Sequence, residues 1–276
     1  MKDATLPSTL GLIAGEGRFP FMVLEEAKRL EIDVVTLAIE GEADPALETA
    51  AAPEFHRVGL GQLSRCVRIF HDRGVSQAVM AGRVRHVKAF QILRPDPLML
   101  KVLSRVRSKS TDAILKTLAD VMGDAGVELV DSTALVRVHL ATEGAMGKRK
   151  PSRRERDDMG FGIRIARGLA ELDIGQTVVI KEKAVVSVEA MEGSDAAIRR
   201  ARDIVEGPFV VVKVARPAQD PRFDVPVVGP GTIDSMVTAG ATVLGLEVGR
   251  VLLVERERLL ERADANRIAV FGVANG

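Results

Sequence analysis

The chain contains no tryptophan, no tyrosine and one cysteine, Cys66. A lone thiol cannot close an intramolecular disulfide, so nothing points to a secreted, stapled fold. One cysteine and four histidines also argue against Cys- and His-rich zinc sites. Aromatic residues make up 3% of the chain, too few for RNA modules that stack bases on aromatic rings. Lys and Arg total 39 against 38 Asp and Glu, and a net charge of +1 speaks against a general nucleic-acid binder. No segment reaches the roughly 18 uninterrupted apolar residues of a membrane span. The apolar run Leu10–Ala14 is too short for a secretory signal. The expectation is a cytoplasmic protein with no nucleic-acid partner. Contact with a membrane surface needs no span and stays open.

What is present is an ordinary globular composition, 276 residues with 46% hydrophobic content. That length suits one large domain or two of about 130 residues. The first half alternates short apolar runs with helical spacing. Strands are expected at Leu10–Ala14, Asp33–Ala38, His56–Val58 and Gln77–Ala81. Helices are expected from Pro20 to Leu30, over Gln62–Arg73, and near Leu98–Val106 and Thr111–Gly123. Strands alternating with helices predict a parallel sheet covered on both faces. From Leu140 to Met159 apolar periodicity vanishes. Six basic and three acidic residues lie between Lys148 and Asp158, which reads as a solvated linker or as a basic rim for an anionic ligand or lipid. A helix is expected from Arg154 to Leu172. Later strands are expected at Thr177–Ile180, Ala184–Ala190, Phe209–Ala215, Thr242–Leu246, Val251–Val254 and Ala269–Val273. Helices follow Ser194, precede Thr238 and cross Glu255–Ala265. The fold class is therefore α/β, with an N-terminal Rossmann-like domain over 1–138, a linker over 139–156 and a second α/β domain over 157–276.

Four stretches carry candidate chemistry. Gly15-Glu16-Gly17 follows a strand and precedes a helix, where glycine backbone and free helix N–H groups can meet phosphate. Pro20 stands where a dinucleotide fingerprint needs its third glycine, which counts against a nicotinamide cofactor. Gly82, Arg83 and Arg85 follow the fourth strand, at the edge where open α/β sheets bind ligands; the arginines there can meet phosphate or simply form a solvated turn. Around Gly193-Ser194-Asp195 a strand ends and a helix begins. The segment can hold an anion, its acids Glu189, Glu192 and Asp195 can hold a divalent cation, or Ser194 and Asp195 can simply cap the helix. Last, the loop from Lys213 to Gly229 sets Lys213, Arg216, Gln219, Asp220, Arg222 and Asp224 among three prolines. Prolines lower the entropy cost of fixing polar groups. Cations beside Asp suit phosphoryl or pyrophosphate chemistry, with Asp holding Mg²⁺ or orienting water. Cys66 reads as a core thiol.

With these residues in view, the chain resembles the LpxI-type UDP-2,3-diacylglucosamine pyrophosphatases of lipid A biosynthesis. The resemblance rests on LGLIAGEGRFP, AGRVR, Lys109-Ser-Thr-Asp112, LDIGQTVVI, VEAMEGSDA and QDPRFDVPVVG, in that order along the chain. It implies a two-domain enzyme with ligand in the cleft between its domains, usually a homodimer, cleaving UDP-2,3-diacylglucosamine to UMP and lipid X with Mg²⁺. It also implies that Asp224 is catalytic and a candidate metal ligand, with Asp195 a weaker one. Gly15, Gly17, Gly82 and Arg83 match the nucleotide-facing part. Asp112, Gly193, Ser194 and Asp195 match further substrate-binding positions, and Lys213, Gln219 and Arg222 are expected to steady the pyrophosphate. The lipid substrate would be met at the inner membrane face. The rival readings are a non-catalytic nucleotide or lipid carrier and a nicotinamide-dependent oxidoreductase.

Overall fold

A computed structural model describes residues 7–84, 95–106, 111–217 and 219–274. Arg85 and Lys109 lie outside them, and of Asp112 only the backbone is described. The chain forms two compact units. One comprises Met1–Val136 with Pro221–Phe223, the other Arg137–Asp220 with Asp224–Gly276.

The first unit runs β1 (Thr9–Ala14), α1 (Phe19–Arg29), β2 (Asp33–Ile39), α2 (Leu47–Ala50), β3 (Phe55–Val58), α3 (Leu63–Asp72), β4 (Gln77–Ala81), α4 (Pro97–Arg105), α5 (Thr111–Asp124) and β5 (Glu128–Leu129). Among the described residues, five strands form a parallel sheet in the order β3-β2-β1-β4-β5. Parallel strands are covered on both faces, which is why β1 and β2 read as nearly unbroken apolar runs. Phe70 and Cys66 of α3 and Met122 of α5 meet Leu37 and Ala78 in one core. Gly11 makes room there: a Cβ at that position would lie 2.7 Å from the Phe70 ring. Pro221–Phe223 belongs here because Ser132 holds the Pro221 carbonyl through its N–H (3.0 Å) and Oγ (2.7 Å), and Phe223 packs against the same core. A lone contiguous second domain from 157 onward was expected; these three residues depart from it.

The second unit adds β6 (Gly144–Ala145), α6 (Arg153–Glu171), β7 (Thr177–Lys181), β8 (Ala184–Val188), α7 (Ser194–Ala201), β9 (Phe209–Lys213), β10 (Val227–Val228), α8 (Pro230–Ala239), β11 (Ala241–Glu247), β12 (Leu252–Leu253), α9 (Arg256–Ala265) and β13 (Ala269–Val273). Six strands make a mixed sheet, β6-β13-β11-β9-β7-β8. β9, β11 and β13 are parallel, and β7 runs antiparallel to both β9 and β8. Residues 139–156, expected as a linker, are part of this unit. β6 pairs with β13, and Ser152 opens α6 with a reciprocal capping box to Glu155. The Ser-x-x-Glu spacing is a helix-start signal, masked in the sequence by the surrounding charge. α6 lies close on the sheet because Gly162 faces Val212 and Ile180, where a Cβ would come within 2.8 and 2.9 Å.

Burial pushes the Cys66 thiol up to about 12, with the Asp96 charge adding to the effect. The thiolate is the reactive form. Native protein should therefore leave Ellman's reagent unreacted, and denaturant should release one thiol per chain. Reaction of folded protein at the rate of a free cysteine would contradict this packing.

Candidate functional site

Two places gather the candidate residues, one in each unit. In the first unit, strand order reverses between β1 and β4, the switch point where open α/β sheets bind ligands. Gly15-Glu16-Gly17 leaves β1 and Gly82-Arg83 leaves β4 at this point. Glu16 and Arg83 exchange two backbone hydrogen bonds, of 2.8 and 2.9 Å. The glycines have a structural reason to be there. A Cβ on Gly15 would lie 2.6 Å from the Arg83 carbonyl, and one on Gly82 would lie 2.7 Å from the Glu16 carbonyl. Gly17 differs: its φ of +102° favours glycine, yet nothing would stand within 4 Å of an added Cβ. The turn thus presents open backbone beside an exposed Arg83. Pro20 occupies the first turn of α1, as the sequence suggested.

The second place lies beyond the carboxyl ends of β9 and β11. Lys213 closes β9, a strand of buried valines, and is itself buried. Its Nζ donates to Ser194 Oγ at 2.7 Å. The Ser194 hydroxyl in turn donates to Glu189 Oε1 at 2.9 Å and lies 3.0 Å from Thr177 Oγ1. Ser194 was expected as a possible helix cap. The cap position is instead Gly193, at φ +83°, and the serine hydroxyl is fully committed to this cluster. Burial lowers the Lys213 pKa, against the opposing pull of the Glu189, Asp195 and Asp224 carboxylates that face it.

Past Lys213 the chain turns through Ala215 and Arg216. Glu247, buried at the end of β11, accepts from the Ala215 N–H at 2.8 Å, and Arg250 donates to the Arg216 carbonyl at 3.1 Å. The Arg216 guanidinium sits between Asp173 and Asp224, 2.5 Å from each. Burial works against its charge, but the two carboxylates outweigh that and hold its pKa above the ordinary arginine value. Gln219 Oε1 accepts from the Arg216 N–H at 3.0 Å. Lys213, Ser194, Asp195, Gln219 and Asp224 are thereby brought into one cluster. Arg222 groups with the first unit, its guanidinium 4.9 Å from the Phe223 ring centroid.

This strand end also holds polar atoms that the protein does not satisfy. Gln176 Oε1, Glu189 Oε2, Asp195 Oδ1 and Gln219 Nε2 are buried without a hydrogen-bond partner among the described residues. Buried polar groups are normally paired, so four such atoms at one strand end leave hydrogen-bonding capacity that a polar ligand or ordered water can take up. Among the described residues no three His, Cys, Asp or Glu side chains are grouped to hold a metal by themselves. Mg²⁺ asks for less, commonly one or two carboxylates with water and phosphate oxygens completing its shell. The unmatched oxygens of Asp195 and Glu189 suit that partial set. A cavity of about 490 Å³ lies elsewhere in the unit, lined by Arg202, Glu206, Pro208, Val237 and Gly240 where β9 and β11 begin.

Glu247, Arg250, Asp173 and Thr177 escaped the sequence reading. Glu247 left a trace there, as a carboxylate closing the apolar run ATVLGLE, and Asp173 and Thr177 lie in the quoted LDIGQTVVI with no role assigned to them. The other three show their roles only through contacts distant in sequence.

The LpxI N-terminal domain family matches residues 9–138, and the LpxI C-terminal domain family matches residues 142–271. UDP-2,3-diacylglucosamine pyrophosphatase LpxI of Caulobacter vibrioides is 30% identical over 275 residues, covering 96% of this chain and 97% of that protein.

The lowered pKa of Lys213 has a measurable sign. The folded protein gives up this proton at lower pH than the unfolded chain, whose lysine titrates near 10.5. Stability therefore rises as pH climbs from the folded value toward 10.5, and the cost of the buried ammonium is borne below that window. Urea unfolding of wild type and Lys213→Met between pH 7 and 10.5 reads this directly. Wild type should gain stability relative to the variant across the alkaline range, whereas a constant difference would refute the assignment.

Proposed function

The chain belongs to the LpxI family, and on that premise we propose that it hydrolyses the pyrophosphate bond of UDP-2,3-diacylglucosamine to UMP and 2,3-diacylglucosamine 1-phosphate. The observation that carries this reading is the part-buried cluster around the buried Lys213 at the end of β9. It combines two cations, three carboxylates facing Lys213, and four polar atoms awaiting partners. A pyrophosphate supplies what such a cluster lacks, oxygen acceptors for Lys213, Arg216 and Gln219.

In this reading Lys213 and Arg216 neutralise charge that grows on the phosphate oxygens as the bridging bond breaks. Preorganised cations in a water-poor site stabilise such charge strongly. Asp224 orients the attacking water and takes its proton, while the water oxygen bonds to phosphorus and the bridging oxygen leaves with its electron pair. Arg216, which pairs with Asp224, turns to the phosphate when substrate arrives. Asp195 and Asp224, with Glu189 beside them, would hold Mg²⁺, which supplies Lewis-acid polarisation of the phosphoryl oxygens. Ser194 does not act as nucleophile here. Its hydroxyl already meets Lys213, Glu189 and Thr177, and it serves to aim the lysine.

The glycine turn of the first unit is the proposed nucleotide seat. Gly17 leaves backbone open, Arg83 stands beside it, and Gly15 and Gly82 let the two loops approach. Asp112 and Arg222 belong to the same proposal as substrate contacts, Gly193 as the residue that frees the start of α7. The active species is proposed to be a cytoplasmic homodimer meeting its substrate at the inner membrane face. Family membership supports a hydrolase over a nicotinamide-dependent oxidoreductase, and the carboxylates around Lys213 favour an enzyme over a passive carrier.

Release of UMP from UDP-2,3-diacylglucosamine should fall by about a hundredfold or more in kcat/KM on Asp224→Ala. Turnover equal to wild type would remove Asp224 from the mechanism. EDTA should abolish activity and excess Mg²⁺ restore it. Full activity in the chelator would dispose of the divalent cation.

A further inference from the structure

Asp224 closes a single turn of chain, its N–H meeting the Asp220 carbonyl at 3.2 Å. The three residues inside that turn, Pro221–Phe223, group with the first unit. Ser132 ties them there. Its N–H and its hydroxyl both donate to the Pro221 carbonyl, at 3.0 and 2.7 Å, from 89 positions away in sequence. Two donors on one carbonyl use both of its lone pairs. Phe223, the residue before Asp224, packs part-buried against the first unit's core, and the Arg222 guanidinium lies over its ring.

The loop around Ser132 is built to make this contact. β5 runs beside β4, and the Val130 N–H continues the pairing to the Ala78 carbonyl at 2.9 Å. The chain then leaves the sheet at its carboxyl edge, the edge from which Gly82 and Arg83 leave β4. Asp131 turns it there, its Oδ1 accepting from the Thr133 N–H at 2.8 Å and the Thr133 hydroxyl at 2.7 Å. An aspartate bonded to backbone two residues on fixes a tight turn. Ser132 sits at the middle of it, 2% exposed, with amide and hydroxyl aimed at one point. A serine hydroxyl can find a partner in its own neighbouring backbone. This one is instead spent on the turn that carries Asp224.

We propose that Ser132 is a positioning residue for hydrolysis: by clamping the Pro221 carbonyl, with Phe223 as a second anchor, it sets where the Asp224 carboxylate stands. This inference rests on the role given to Asp224 above. Asp224 has a further restraint in Arg216, 2.5 Å away. In the proposed mechanism that guanidinium turns to the phosphate, and the clamp then holds the turn without it. A carboxylate that orients water tolerates little displacement, since misplacement by about 1 Å from a remote change can cost about a hundredfold in rate.

Kinetics of full-length variants on UDP-2,3-diacylglucosamine test the clamp. Ser132→Ala removes the hydroxyl and keeps the amide bond. Its kcat should fall about tenfold or more while KM stays within about twofold of wild type, with unchanged circular dichroism. Added to Asp224→Ala, and read by single turnover at high enzyme concentration, the same change should cost less than about twofold, because effects that pass through one group do not add. Phe223→Leu, which loosens the other anchor, should show the same pattern, and it decides the matter if Ser132→Ala does not fold. Wild-type kcat in folded Ser132→Ala would overturn the proposal. So would a loss that persists in full on top of Asp224→Ala, or a loss confined to KM. The two readings fail differently: undiminished turnover by Asp224→Ala removes the role of Asp224 and the clamp with it, whereas a large loss there beside wild-type kcat in Ser132→Ala sinks the clamp alone.

Discussion

A lysine ammonium buried at the end of a valine strand is the constraint around which the second unit is organised. Taking that charge out of water is costly unless it is paired and hydrogen-bonded. The fold meets the requirement locally. Ser194, placed by a left-handed glycine at the start of α7, accepts from Lys213, and Glu189 accepts from Ser194. Glu189 itself is held where the chain passes Gly175 so closely that any side chain there would strike its carbonyl. Charge, hydroxyl and carboxylate form one relay whose outer end is still unsatisfied. That open end is where a polar ligand could complete the hydrogen bonding.

The same logic continues into the proline-flanked loop. Glu247 and Arg250 anchor the backbone at Ala215 and Arg216 from the far side of β11. Arg216 then has both its neighbours in reach, Asp173 and Asp224, and Gln219 folds back on its amide. A loop that begins on a buried strand and is tied down at its first turn can hold charged groups in fixed places. Proline alone would stiffen such a segment, but the buried carboxylate of Glu247 sets where the stiffness points.

Much of the fold was legible in the residues because the signals were local. Apolar runs of five to seven residues bounded by glycine marked β1, β2, β4 and β9, and helical spacing marked α1, α3 and α9. What escaped was short or non-local. β5, β6 and β10 are two-residue strands defined by pairing and not by pattern. The assignment of Pro221–Phe223 to the first unit depends on Ser132 and a distant core. The site shows the same division. Lys213, Ser194, Asp195, Gln219 and Asp224 could be named from residue type in context, whereas Glu247 and Asp173 become visible only when separate strands meet. The glycines at 15 and 82 were read toward phosphate, and the structure adds a second reason for them in the crossing of two loops.

The absence of tryptophan and tyrosine fits this picture of phosphate held by cations and backbone, with no base-stacking platform required. The near-zero net charge conceals a local concentration of charged groups around Lys213. The claim on which everything else rests is the reaction itself. Phosphorus NMR of wild-type protein with UDP-2,3-diacylglucosamine and Mg²⁺ tests it most directly. The two coupled pyrophosphate signals should give way to two uncoupled monoester signals of equal intensity, those of UMP and 2,3-diacylglucosamine 1-phosphate; persistence of the coupled pair at enzyme concentrations near those of the substrate would contradict the account.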